Sequence, residues 1–294
     1  MRAPASSASS SARNLPTFSA RNLPIWLLNI LLPLLAFVGL TGCSYLDGYA
    51  TSNYLSSVSK IQYSSDSALL SLNSNLADLS GDPGKVKSAV DRLTSDKDQV
   101  DKTLSELKEA DAPSEAKTLK EDLLELYSQG SGLLGDLIQT GKYTLAEQPL
   151  IARYEAAGTS FTSSVKGAKD AASLSTCLNS YMDNVNAIDK KAEDLDTPTL
   201  SRRSNMRFVF DLKTLSGGLS DMIASLKSGN QDAIKVASDQ LAAAGDSSAS
   251  AKQAEANDRA ADAADYNLKI MHLNQLMARI GQDEAALHKE FDRS

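Results

Sequence analysis

PGKVKSAVDRLTSDKDQVDKTLSELKEAD, residues 83–111, decides the fold of this chain. Val86, Val90, Leu93, Val100, Leu104 and Leu107 follow in alternating steps of four and three, and Lys97 fills the slot that lacks an apolar residue. Residues three and four apart share one face of an α-helix, so this is a heptad stripe. Its period near 3.5 favours left-handed packing against other helices. The same spacing recurs at Leu119, Leu123, Leu126, Gly130, Leu133 and Leu137. It returns at Leu174, Leu178, Tyr181, Val185, Ile188, Ala192 and Leu195, then at Phe208, Leu212, Leu215, Leu219, Met222 and Leu226. A last run takes in Tyr266, Ile270, Leu273, Met277, Ile280, Leu287 and Phe291. Leu55, Val58, Ile61, Leu69, Leu72, Leu76 and Leu79 fit the template less strictly. No stretch alternates with the period of a half-buried strand. The sequence predicts an all-α, elongated antiparallel bundle of about eight helices with coiled-coil-like packing.

Breaks in the pattern set the expected boundaries. Pro83, Pro113, Pro149 and Pro198 each stand where a first helical turn would begin, where a missing N–H costs little. In DTPT, residues 196–199, Thr197 is the expected N-cap. Gly141 in QTGK and Gly229 in KSGN are expected to end helices. GDSSASAKQAEANDRAADAAD, residues 245–265, is alanine-rich and charged, which suits an exposed helix better than a linker.

The stripes also repeat. SGLLGDLI at 131–138 and SGGLSDMI at 216–223 lie 85 residues apart, as do Pro113 and Pro198, Val100 and Val185, and Leu93 and Leu178. An internal duplication of a three-helix unit, over 85–172 and 173–257, accounts for this offset, with flanking helices over 45–80 and 258–291. Chance alignment of Ser- and Ala-rich heptad helices is the alternative.

Composition narrows the function classes. At 294 residues and 42% hydrophobic content, the chain can bury a sizeable core. Its formal charge is −7, and the first 42 residues hold Arg2, Arg13 and Arg21 with no acid, leaving 27 basic against 37 acidic residues for the rest. Nucleic-acid binding needs a basic face to neutralise phosphates, so nucleic acid is not an expected partner. The only Trp, Trp26, lies in the leader, and few aromatics remain on which bases or sugars would stack.

Catalytic and metal-ligating patterns are missing. His272 and His288 are the only histidines and lie 16 residues apart, which turns them about 160° from each other on one helix. Glu-x-x-His pairs are absent because Lys269 and Ala285 occupy the required positions. The Ser-x-x-Lys matches SVSK, SELK, SEAK and SSVK lack the companion Ser-Asp-Asn and Lys-Thr-Gly elements. GDLIQTGKY, residues 135–143, has the wrong spacing for a phosphate loop and carries Tyr after the Lys. Met271, His272 and Met277 loosely suggest copper, but Met277 falls on the apolar stripe and reads as core. No catalytic residue, metal site or cofactor is expected. Lys97, the only charge on its stripe, either marks a polar pocket or snorkels to water.

One basic cluster stands out from the acidic background. SRRSNMR, residues 201–207, places Arg202, Arg203 and Arg207 in the opening turns of the helix after Pro198. Cations there oppose the helix dipole by roughly a few tenths of a kcal/mol each. They are candidates for contact with lipid head groups, an anionic wall polymer or an acidic partner. The competing reading is three solvated side chains, two of them within reach of neighbouring helices.

The first 42 residues read as an export signal. A Ser-, Ala- and Pro-rich basic segment with ARNLP at 12–16 and again at 20–24 precedes Ile25–Leu40, which is apolar except for Asn29, Pro33 and Gly39. That run falls short of the roughly 20 residues that span a bilayer. LTGC, Leu40-Thr41-Gly42-Cys43, follows directly and resembles the lipobox of bacterial lipoproteins. The resemblance covers residues 1–44 and implies cleavage between Gly42 and Cys43, with Cys43 becoming the diacylglycerol-bearing first residue of a mature 43–294 chain. It further implies an extracytoplasmic face, on the cell membrane or, since Ser44 permits sorting, an outer membrane. With Cys43 acylated, Cys177 is the one remaining thiol and no intramolecular disulfide is possible. Its place beside Leu178 reads as a small buried apolar residue. Tyr45 and Tyr49 would lie near lipid head groups, where tyrosine is favoured.

Two functions fit these readings. The first is a noncatalytic interaction or scaffold lipoprotein that contacts an envelope protein or wall polymer. The second is a solute- or metal-binding lipoprotein beside a transporter, which requires a polar pocket between helices.

Overall fold

Helix α3 (Pro83–Glu109) shows how local chemistry starts an element in this protein. Asp82 adopts an extended conformation and its Oδ1 accepts from the backbone N–H of Gly84 at 2.8 Å and of Lys85 at 3.4 Å. Pro83 follows in the first turn, where it has no hydrogen bond to lose. From there Val86, Ala89, Val90, Leu93, Val100, Thr103 and Leu107 turn inward as far as the end of α3 at Glu109.

The computed structural model describes residues 46–63, 65–79, 82–229 and 231–291. The chain divides into Met1–Gly42 and Cys43–Ser294, and every described residue lies in the second unit. The leader, Gly42, Cys43, Ser44 and Tyr45 lie outside the described residues, as do the side chains of Leu76 and Phe291. Seven α-helices make up the described fold: α1 (Leu46–Gln62), α2 (Asp66–Asp78), α3 (Pro83–Glu109), α4 (Lys117–Gly167), α5 (Ala171–Glu193), α6 (Arg202–Ser228) and α7 (Gln231–Phe291). It is an all-α helical bundle with no strand among the described residues.

Two apolar cores lie along the shared helix α4. The first gathers Tyr54, Leu55 and Val58 of α1, Leu69 and Leu72 of α2, the α3 stripe, Leu119 to Ile138 of α4, and Tyr266, Ile270, Leu273, Leu276, Ile280 and Leu287 of α7. The second is built from Leu150 of α4, Leu178, Val185, Ile188 and Ala192 of α5, and Leu212, Leu219 and Ile223 of α6. The heptad positions quoted from the sequence are mostly the buried ones, and Met277 packs against the first core. Cys177 is half-buried, more open than its neighbour Leu178, because it points to the flank of the α5 stripe.

Several expected boundaries fall elsewhere. Gly141 does not end a helix; it is buried inside α4, where a Cβ would meet Val90 Cγ2 at 2.3 Å and Leu79 Cδ2 at 3.0 Å. The missing side chain serves close approach of neighbouring elements instead of a stop. Pro149 does not open a helix either, for it lies exposed within the 51-residue α4. A helix-internal proline forfeits a hydrogen bond and costs about 3 kcal/mol or more. Here the helix runs on because Tyr143 on one side and Leu150 on the other are both packed. Thr197 is not an N-cap. Its hydroxyl donates to the Leu195 carbonyl at 3.1 Å and accepts from Asn205 Nδ2 at 2.7 Å. The 3₁₀ turns Ser114–Ala116 and Thr199–Ser201, each after a proline, lead into α4 and α6 instead.

The flanking helices also differ from expectation. The segment expected as one helix over 45–80 is two, broken at Ser65, whose hydroxyl donates to the Gln62 carbonyl at 3.2 Å. Serine and aspartate side chains compete with the helical backbone in this way, and Ser65-Asp66 supplies both. Residues 245–265 are helical, but as the interior of the 61-residue α7, so no boundary falls near 257. The 85-residue offset relates Ser114 to Thr199 and Lys117 to Arg202, the starts of the two 3₁₀ turns and of α4 and α6. It ends at Gly229, whose φ of 64° turns the chain while α4 continues through the equivalent Thr144.

Candidate functional site

The basic cluster at the start of α6 meets a stripe of acids on α7. Arg203 Nη1 donates to Asp262 Oδ1 at 2.7 Å and Nη2 to Asp265 Oδ2 at 3.0 Å. Arg207 Nε donates to Asp258 Oδ2 at 2.6 Å. Asp258, Asp262 and Asp265 recur at four and three residues, so one face of α7 carries all three. Asp262 is only 4% exposed and its Oδ2 has no hydrogen-bond partner. Burial pushes its carboxyl above the usual aspartate value, and the Arg203 guanidinium pulls it partway back. Two of the three candidate partner-binding arginines thus bind α6 to α7. Arg202 is exposed, and Met206 and Phe210, each 65% exposed, continue its row at steps of four.

The acids of this ladder sit in the alanine-rich and charged 245–265 stretch, expected as an exposed helix. The signal was available as Asp258, Asp262 and Asp265 at heptad spacing in a region with no apolar stripe. A second clamp joins α4 and α7. Arg279 of α7 donates through Nε and Nη2 to both carboxylate oxygens of Asp122 on α4, whose side chain is 9% exposed. Bidentate geometry of this kind fixes orientation as well as distance.

Other polar groups line the inside of the bundle. The Tyr143 hydroxyl lies 2.8 Å from Glu147 Oε1 and 3.0 Å from Asn205 Oδ1. Through Asn205 this links to Thr197, so the loop before α6 is tied to α4. Near the α1–α2 turn, Tyr127 donates to Asp66 at 3.0 Å. Burial, with the nearby Asp66 carboxylate second, holds Glu284 at about 6. Lys97 pairs with Asp101 one turn on, and Asp101 also accepts from Ser131.

An open polar groove of about 550 Å³ runs between α4 and α5, lined by Arg153, Thr176, Asn179, Ser180, Asp183 and Asn184. Its amides are partly engaged, with Asn179 Nδ2 donating to the Ser175 carbonyl and Asn184 Nδ2 to that of Ser180. His272 Nε2 lies 3.8 Å from Glu125 Oε1 at the surface. Among the described residues no group of three or more His, Cys, Asp or Glu converges as a metal cluster, and no helix is long and apolar enough to cross a membrane. No protein-family model, curated protein or solved structure matches the chain.

Proposed function

We propose that residues 43–294 are the mature part of an extracytoplasmic lipoprotein, anchored through acylated Cys43 and acting as a noncatalytic interaction or scaffold module. The observation that carries this reading is LTGC placed directly after a basic and then apolar leader. The position of α1 supports it, since the first described helix begins at Leu46, three residues beyond Cys43. The apolar stripes are used up in two internal cores, leaving long helical faces to meet a partner. The exposed row Arg202, Met206 and Phe210 is where such contact would be made, since basic and aromatic groups are enriched at interfaces. The corresponding elements 85 residues apart support a duplicated origin for α3–α4 and α5–α6.

A solute-binding lipoprotein beside a transporter is the second reading, and the groove at Arg153 is the place it would use. Small-molecule sites bury most of their ligand, whereas this groove is wide open, which favours macromolecular contact. The anchor is tested by Cys43→Ser with labelled palmitate. Loss of label and retention of the leader, seen as a larger product, are expected. A Cys43→Ser protein that keeps the label at unchanged size overturns the reading.

A further inference from the structure

Helix α1 has two sharply different faces. Thr51, Tyr54, Leu55 and Val58 are buried, at 0%, 4%, 7% and 1% exposure, and fix the helix to the first core. On the opposite side Tyr49 is 72% and Tyr63 is 83% exposed. At 100° per residue the separation of 14 positions brings these tyrosines within about 40° of each other, with Ser56 midway on the same line. Tyr63 directly follows the last residue of α1, and its N–H still donates to the Ser59 carbonyl at 3.2 Å, which keeps it in the helical register. Among the described tyrosines these two alone are exposed; Tyr54, Tyr127, Tyr143 and Tyr266 are buried and Tyr154 and Tyr181 are half-buried.

Charge sets this stripe apart as well. Residues 48–65 carry a single charged side chain, Lys60, in a chain that is 23% charged and acidic. Tyrosine favours the level of lipid head groups, where its ring is half-sheltered and its hydroxyl stays wet. Acidic groups would be repelled by an anionic leaflet, and the outward face of α1 beyond Asp47 has none.

We propose that the Tyr49–Ser56–Tyr63 stripe of α1 lies along the surface of an anionic lipid bilayer, so that the bundle is held side-on by this helix. The inference rests on the lipoprotein reading, because acylated Cys43 supplies the tether. Three residues of extended chain reach about 10 Å, which keeps Tyr49 near the head groups in any orientation. Tyr63 lies about 21 Å further along the helix, and its distance from the bilayer therefore reports whether α1 lies flat or stands upright. A lipid surface suits the stripe better than a protein partner, since its two tyrosines stand about 21 Å apart with the small polar Ser56 between them, whereas the anchors of a protein interface cluster at its centre.

The test uses the mature lipidated protein, which contains no tryptophan once Trp26 has left with the leader. Tyr49→Trp and Tyr63→Trp are reconstituted separately into phosphatidylglycerol vesicles brominated near the head group. Comparable quenching of both probes is the expected result, with Ser56→Glu reducing quenching at position 63 but not at 49. Quenching of the Tyr49→Trp protein alone, with the protein retained on vesicles, overturns the side-on arrangement while leaving the anchor intact. Failure of both variants to associate with vesicles, or Trp26 emission in the unsubstituted protein, overturns the lipoprotein reading itself.

Discussion

Arg203 and Asp262 are joined by a 2.7 Å ion pair between α6 and α7 in which the acid is 4% exposed and the arginine side chain 45% exposed. The buried member depends on the exposed one. Asp262 has one oxygen already without a partner, and loss of Arg203 would remove the only cation paired with it in the described structure.

Arg203→Ala is therefore expected to lower the denaturation midpoint clearly, because it strands the buried Asp262 carboxylate, with the solvent exposure of Arg203 keeping the loss below that of a fully buried pair. Asp265→Ala, at a 53% exposed side chain, should cost less than about 1 kcal/mol. Urea denaturation midpoints measure both. An Arg203→Ala, Asp262→Ala double variant should recover part of the loss, and equal costs for Arg203→Ala and Asp265→Ala would show that Asp262 is not effectively buried.

Gly141 and Gly132 lie in the same helix and should respond to alanine in opposite directions. A Cβ at Gly141 would come within 2.3 Å of Val90 Cγ2, so Gly141→Ala is expected to destabilise by roughly 1–3 kcal/mol. Gly132 has nothing within 4 Å of the equivalent point, and Gly132→Ala should gain roughly 0.5–1 kcal/mol from helix propensity. Thermal melts of the two variants decide this. Stabilisation by Gly141→Ala would mean that α3 and α4 are further apart than described here.

Stability should also depend on pH through Glu284. Burial lifts its carboxyl from 4.5 to about 6 in the folded chain, so folding favours the protonated form. The sign follows from linkage: the protonated carboxyl's contribution is complete below pH 4.5 and is lost as pH rises through about 6. Asp66, raised mainly by burial and partly offset by its bond from Tyr127, acts in the same direction. Glu284→Gln should flatten the melting-temperature profile between pH 4.5 and 6 and raise the melting temperature at neutral pH. An unchanged profile in the variant would remove Glu284 from the account.

Much of the fold was legible because a heptad stripe carries its own evidence. Leu93, Val100 and Leu107 are at 0% exposure, and the spacing alone picks them out. Boundaries were less legible because proline and glycine have more than one use. Pro83 does open α3, yet Pro149 sits inside α4, and Gly229 ends α6 while Gly141 makes room for Val90. In each pair the local residue is the same, and the neighbour that packs against it differs. The Arg202, Arg203 and Arg207 cluster is visible as charge and the acids at 258, 262 and 265 as a heptad row, but nothing local shows that Arg203 and Arg207 meet those acids 51 to 62 residues away.

By itself the sequence determined that this chain is almost wholly helical over its described residues, and which residues face inward. Those properties are periodic or local, and adjacent residues suffice to express them. Only tertiary structure decided that α4 and α7 run unbroken, that Arg203 and Arg207 are held by Asp258, Asp262 and Asp265, and that Tyr49 and Tyr63 stay outside. These depend on which faces of separate helices come together, and burial against a distant helix outweighs the roughly 1–3 kcal/mol that a single residue's local preference contributes.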